Sequence, residues 1–159
     1  DMVFDDVMTL HVGEKTLDFW HTPGHSPDSV VCLVREDQVL FAADTQMPVP
    51  YFVDGNLGDH LVSLRRLQGG AYEAVVQGHG EVVLRGEVDT KLQSDINYLT
   101  TLQDAVKRAL DAPDSRGALN AISIEACGKN RVLLNGAVQQ LHRQNVDHLA
   151  RQLSKNSDF

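Results

Sequence analysis

Cysteine is scarce: Cys32 and Cys127 are the only two in 159 residues, too few for a disulfide scaffold. Cys32 sits in "SVVCLV", where a small buried hydrophobe is the expected role. No apolar run approaches the ~20 residues that a membrane-spanning helix needs, and no signal peptide is visible. Basic residues are few, 14 against 22 acidic, for a net charge of −8. Such a field repels nucleic acid and anionic membranes, and "LRRL" is the one short basic patch, so neither partner is expected. What remains is ordinary: 42% hydrophobic and 23% charged residues suit one globular domain with a real core. A cytoplasmic location is expected. The opening "DMVFDDVMTL" enters a strand pattern almost at once, as though the polypeptide begins elsewhere, which leaves an upstream signal open.

Two kinds of periodicity divide the chain. "VMTLHVG" and "KTLDFWH" alternate at the strand period around a "GEK" turn. "SVVCLV" and "VLFAAD" are apolar on both faces, which predicts strands covered by other layers, with "REDQ" as the turn between them. "MPVPYFVDGN" reads as a stiff loop, and Leu57, Leu61, Leu64 and Leu67 predict a helix that "GG" stops. "YEAVVQG" is a further strand. From Glu87 the step becomes three and four: Val88, Leu92, Ile96, Leu99, Leu102, Val106 and Leu110 form one stripe of a long helix, leaving Lys91, Asp95 and Lys107 to solvent. "DAPDSRG" breaks it, and a final helix is predicted across "RVLLNGAVQQLHRQNVDHLARQL", with Leu133, Val138, Leu141, Leu149 and Leu153 inward. Strands followed by helices predict an α/β or α+β layered fold.

Three polar residues stand where strands give way to loops: His25 after "WHTPG", Asp44 ending "VLFAAD", and His79 in "VVQGHG". Strand ends hold a backbone still while the side chain reaches a ligand. Imidazole and carboxylate suit zinc, iron or manganese. Pro23 and Pro27 stiffen the loop around His25. Taken singly, each of these is commonplace, and only the ordered set is informative.

Together, "HTPGHSPDS", "VLFAADT" and "VVQGHG" before a long helix resemble the second half of metallo-β-lactamase-fold hydrolases, over roughly Val7 to Leu110. The resemblance implies an αβ/βα sandwich with a metal site along one edge of two facing sheets. Residues 1–112 would be its C-terminal half and 113–159 an added helical segment. It implies that His25 is the third histidine of a first metal site, Asp44 the catalytic carboxylate bridging two metals, and His79 the last histidine of the second site. The implied cofactor is zinc, two ions in the complete protein, with iron or manganese as alternatives. The implied reaction is attack of a metal-bound hydroxide on an ester, lactone, thioester or amide of a small-molecule substrate. His21 reads as a residue supporting His25 from behind, while Tyr51 and Phe52 either line the substrate pocket or cover the core. His11, His60, His142 and His148 read as surface or packing residues.

The sequence departs from the family pattern at Ala43, where glycine is usual, and at Gln77, where proline is usual; both imply changes of local shape. The larger departure is that "HxHxDH", which supplies most ligands for both metals, is absent. Each metal would then keep one histidine and the shared Asp44, so the chain taken alone is expected to be an inactive fragment. Its partner is expected to be the missing N-terminal half or another subunit, with a homo-oligomer open. Two alternatives remain: a mononuclear iron dioxygenase of the same fold, using two histidines and one carboxylate, and a non-catalytic half-fold binding module. The last helix is expected either to cross the mouth of the site or to meet a partner subunit.

Overall fold

The computed structural model describes residues 3–155. The two alternating runs form β1 (Val7–Val12) and β2 (Lys15–His21), joined at Gly13, whose φ of +60° favours glycine. Next come β3 (Val30–Val34) and β4 (Val39–Ala43), each antiparallel to the strand before it. The chain then crosses over through helix α1 (Leu57–Leu67) to β5 (Ala74–Gln77), which lies parallel to β4. A two-residue strand, β6 (Val83–Leu84), pairs with β5 and is too short to announce itself by periodicity. The six strands lie in chain order. Two successive reversals make β2 and β4 run the same way, and β5 joins them. Their C-terminal ends, and hence the loops carrying His25, Asp44 and His79, share one edge of the sheet.

One face of the sheet is the core. Val31, Leu40, Ala42 and Val75 are fully buried there with α1 and the long helix α2 (Val88–Leu110). Asn56 caps α1, its Oδ1 accepting from the backbone N–H of Gly58 and Asp59. The stripe on α2 from Val88 to Val106 is buried as its spacing predicts, and Leu110 is half-buried. Beyond the short helix α3 (Ser115–Asn120), α4 (Val138–Lys155) packs on α2 and adds Val138, Val146 and Leu149 to the same core. Among the described residues no helix is long and apolar enough to cross a membrane.

The opposite face has no layer over it among the described residues. The strand registers align Phe19, Cys32, Phe41 and Val76 across it, and Leu17, Val34 and Val39 beside them, yet none of these joins the core cluster. Phe41 is 47% exposed, and Cys32 is only half-buried. Strands apolar on both faces predict two covering layers; one is present among the described residues.

Two further expectations are corrected. Helical spacing places Asp95 and Lys91 in water, but Asp95 is fully buried and accepts from Lys91 at 2.5 Å and from Lys129 at 2.6 Å. Lys129 arrives from the connection after α3 and also donates to Ser94 Oγ, while Lys91 donates to Met47 O. Burial pushes the Lys91 pKa down, opposed by Asp95. Lys107 is exposed, as predicted. The last helix begins at Val138 rather than near Arg131, because Leu134 and Asn135 take φ of +48° and +55° in a 3-10 turn that includes Leu133.

Replacing Asp95 with alanine leaves two cations without their shared carboxylate. It is expected to cost about 3–5 kcal/mol, the usual penalty for breaking a buried ion pair on one side. Lys107→Ala should stay within about 0.5 kcal/mol. Urea unfolding midpoints of the two variants test this; equal midpoints would contradict it.

Candidate metal centre at the sheet edge

Asp44 stands between the two histidines and turns one oxygen toward each. His25 Nε2 is 3.7 Å from Oδ2, and His79 Nε2 is 3.4 Å from Oδ1. Neither separation makes a hydrogen bond, and Oδ1, although buried, has no hydrogen-bond partner. Two donors ~2.0–2.1 Å from one tetrahedral zinc lie roughly 3.3 Å apart, so these gaps fit imidazole–carboxylate pairs sharing a cation. A Cβ on Gly78 would collide with Asp44 Oδ1, so that glycine leaves the oxygen its place. Among the described residues, no group of three or more His, Cys, Asp or Glu side chains could hold a metal ion. The arrangement is two imidazole–carboxylate pairs that share Asp44.

The ring of His25 is oriented. Its Nδ1 donates to the carbonyl of Tyr51 at 2.8 Å, which leaves the Nε2 lone pair for the side facing Asp44. His79 is largely exposed on its glycine-flanked loop. That loop is tied by Gln77, whose Nε2 donates to Glu81 O at 2.6 Å, and by Gly78 N–H, which donates to Ala43 O. Gln77 thus secures by a side-chain bond a turn where proline would restrict φ.

Ala43 takes φ of +45°, a left-handed conformation that favours glycine, at a register shift between β4 and β5. Asp44 is aimed by that strained residue.

Helix α1 serves as the floor for both loops. Ser63 Oγ donates to Pro23 O, Asn56 N–H donates to Gly24 O, and Gly24 packs on His60 so closely that a Cβ would collide with it. His60 is fully buried; its Nε2 donates to Thr45 O at 2.9 Å while Nδ1 has no partner. Burial holds its pKa below the ordinary imidazole range. Spacing on α1 marks His60 as surface or packing, and nothing in the sequence shows its bond to the loop after Asp44.

His21 donates from Nε2 to Pro27 O at 2.7 Å, closing the loop around His25. Tyr51 lies beside His25, ring centroids 6.0 Å apart, and its hydroxyl meets Gln144 of α4. Phe52 is fully buried in the core cluster and packs edge-on against His148. His142 is buried on α4, and His11 is exposed on β1. A depression of about 900 Å³ near Gln68, Gln93 and Cys127 is lined by none of the three site residues.

No family model matches the chain. It is 28% identical over 103 residues to an atrochrysone carboxyl ACP thioesterase of Aspergillus fumigatus, covering 61% of this chain and 33% of that protein. It is 33% identical over 81 residues to an acyl-coenzyme A thioesterase of Gallus gallus, covering 46% and 28%. Among solved structures, it matches a metallo-β-lactamase family protein from Thermus thermophilus with a TM-score of 0.67 at 18% identity, covering 97% of this chain and 49% of that one. A sec-alkylsulfatase from a Pseudomonas species matches with a TM-score of 0.64 at 13% identity, covering 94% and 26%. The chain therefore spans about a third of the length of the curated relatives it matches and about half of the Thermus protein.

Ala43→Gly removes the left-handed penalty against some gain in unfolded-chain entropy, and should stabilise the protein by about 0.5–1 kcal/mol. A lower urea midpoint would contradict the strain. The second expectation concerns pH. Burial depresses the pKa of both His60 and His142, so below pH about 6.5 the unfolded chain takes up protons that the native state refuses. Stability of the metal-free chain should fall as pH drops from about 6.5, and His60→Gln, which keeps an N–H for Thr45 O, should flatten that slope. An unchanged slope in urea titrations at several pH values would show that His60 is not responsible.

Proposed function

We propose that this chain, whose fold is that of the metallo-β-lactamase family, is the C-terminal part of a metal-dependent thioesterase and supplies His25, Asp44 and His79 to its metal site. One observation carries the reading: Asp44 presents a different oxygen to each of two histidines, with one oxygen buried and unpartnered. A buried acceptor left without a donor is costly, and a shared cation satisfies it. The donor set suits zinc, with two ions expected in the complete protein. Bound there by His25, Asp44 and His79, zinc would lower the pKa of water and polarise the scissile carbonyl.

The chain's own residues do the positioning. His25, protonated at Nδ1, keeps Nε2 free, and Asp44 supplies negative charge to both half-sites. Tyr51 and Gln144 form a rim beside His25 where an acyl group would lie. In the reaction, water adds to the acyl carbon, the C–S bond breaks, and the thiol leaves with a proton. The thioester class, on coenzyme A or a carrier protein, rests on the activities for which the two curated relatives are named.

The missing ligands and the missing sheet layer call for the same thing. The bare face of Phe19, Cys32, Phe41 and Val76 would be covered by the N-terminal half of a longer polypeptide, or by another subunit, that also brings the remaining ligands. A mononuclear iron site is less well supported, since a facial triad needs three donors converging on one point and each histidine here faces its own oxygen. A relic module would have no use for the strain held at Ala43.

Asp44→Ala in the complete enzyme is expected to abolish thioester hydrolysis and remove most of the bound metal, while residues 1–159 alone show no turnover. Elemental analysis and a thiol-release assay read both. Unchanged metal content in the variant, or robust turnover by the isolated chain, would refute the assignment.

A further inference from the structure

The orientation of His25 depends on one carbonyl, that of Tyr51, and the group that holds this segment comes from the far end of the chain. Asn145 of α4 is fully buried between Pro50 and Phe52. Its Nδ2 donates to Pro50 O at 2.8 Å, and its Oδ1 accepts from Phe52 N–H at 3.3 Å. A proline carbonyl can only accept and a backbone N–H can only donate, so these partners fix which way the amide points.

The remaining bonds agree in direction. The second Nδ2 proton goes to Tyr98 Oη at 3.1 Å. His142 donates from Nε2 to Ile122 O at 3.1 Å, which makes its Nδ1 an acceptor, and the Tyr98 hydroxyl donates there at 3.0 Å. Each donor in this buried chain of side chains therefore has an acceptor. It joins α2 and α4 to the two residues that flank Tyr51.

We propose that Asn145 is a positioning residue for the metal site: by gripping Pro50 and Phe52 it fixes the Tyr51 carbonyl, which keeps His25 protonated at Nδ1 with Nε2 toward Asp44. This rests on the metal-site reading above. It also gives the last helix a role within its own chain, at the wall of the site.

The test uses the complete enzyme and three variants. Asn145→Ala removes the grip. Asn145→Asp keeps the acceptor for Phe52 but loses both donors. Leu149→Ala is a control, equally buried on the same helix but making no hydrogen bond to this loop. Ring-nitrogen chemical shifts of His25 in metal-free protein report its tautomer. Competition with a chelator gives the zinc dissociation constant, and kinetics give kcat and KM. The wild type should show the Nδ1-protonated form. Asn145→Ala should mix the tautomers, weaken zinc binding by about 10-fold or more, and lower kcat with KM within about threefold. Leu149→Ala should lower the unfolding midpoint yet leave tautomer and zinc affinity within about twofold of wild type. If Asn145→Ala does not fold, Asn145→Asp is read by the same thresholds. An Asn145 variant with wild-type tautomer and zinc affinity would overturn the proposal, as would a Leu149→Ala effect of equal size. A wild type without zinc affinity would defeat the metal-site reading instead, and the tautomer measurement would still decide the role of Asn145.

Discussion

A carboxylate oxygen that is buried and accepts no hydrogen bond is a destabilising feature, and the structure around Asp44 is organised to keep one. Ala43 takes up left-handed strain to aim the side chain, and Gly78 omits the Cβ that would displace its oxygen. His60 fixes the loop that follows through Thr45 O, and Lys91 fixes it again through Met47 O. The histidine on either side belongs to a different loop, and the common direction of β2, β4 and β5 brings the three loops to one edge.

The packing explains why such an edge stays in place. Core contacts lie on one side of the sheet, where α1 supports the loops of His25 and Asp44 together and α2 carries the buried Asp95 with its two lysines. A buried carboxylate shared by two cations contributes little by burial alone, but removing any partner is costly, so it ties α2, the loop at Met47 and the connection through Lys129 to one arrangement. The other side of the sheet has apolar side chains and no layer over them among the described residues. On the proposed reading, one layer beyond the described residues would both cover this face and bring the remaining ligands.

Much of this is readable from local pattern. The hairpin, the two main helices and the ordered motifs follow from periods of two and three-to-four and from residue types at strand ends. What local pattern hides depends on partners distant in sequence. Asp95 sits where helical spacing predicts water, and its burial rests on Lys91 and on Lys129, the latter 34 residues on. Asn145 looks like a polar helix residue until Pro50, 95 residues earlier, is placed against it. The start of α4 departs from its predicted place because Leu134 and Asn135 adopt left-handed angles that their identities do not signal. Ala43 takes a left-handed backbone angle that its identity does not signal. Phe52 is legible in the sequence only as one of two roles, and burial assigns it to the core.

On the proposed reading, Asp44 bridges two metal ions, each with its own histidine. Anomalous diffraction at the zinc edge from crystals of the complete, zinc-loaded enzyme tests it most directly. The account predicts two peaks flanking the Asp44 carboxylate, one within ~2.0–2.2 Å of His25 Nε2 and the other equally close to His79 Nε2. A single peak bound by both histidines, or peaks that leave Asp44 without a metal, would contradict it.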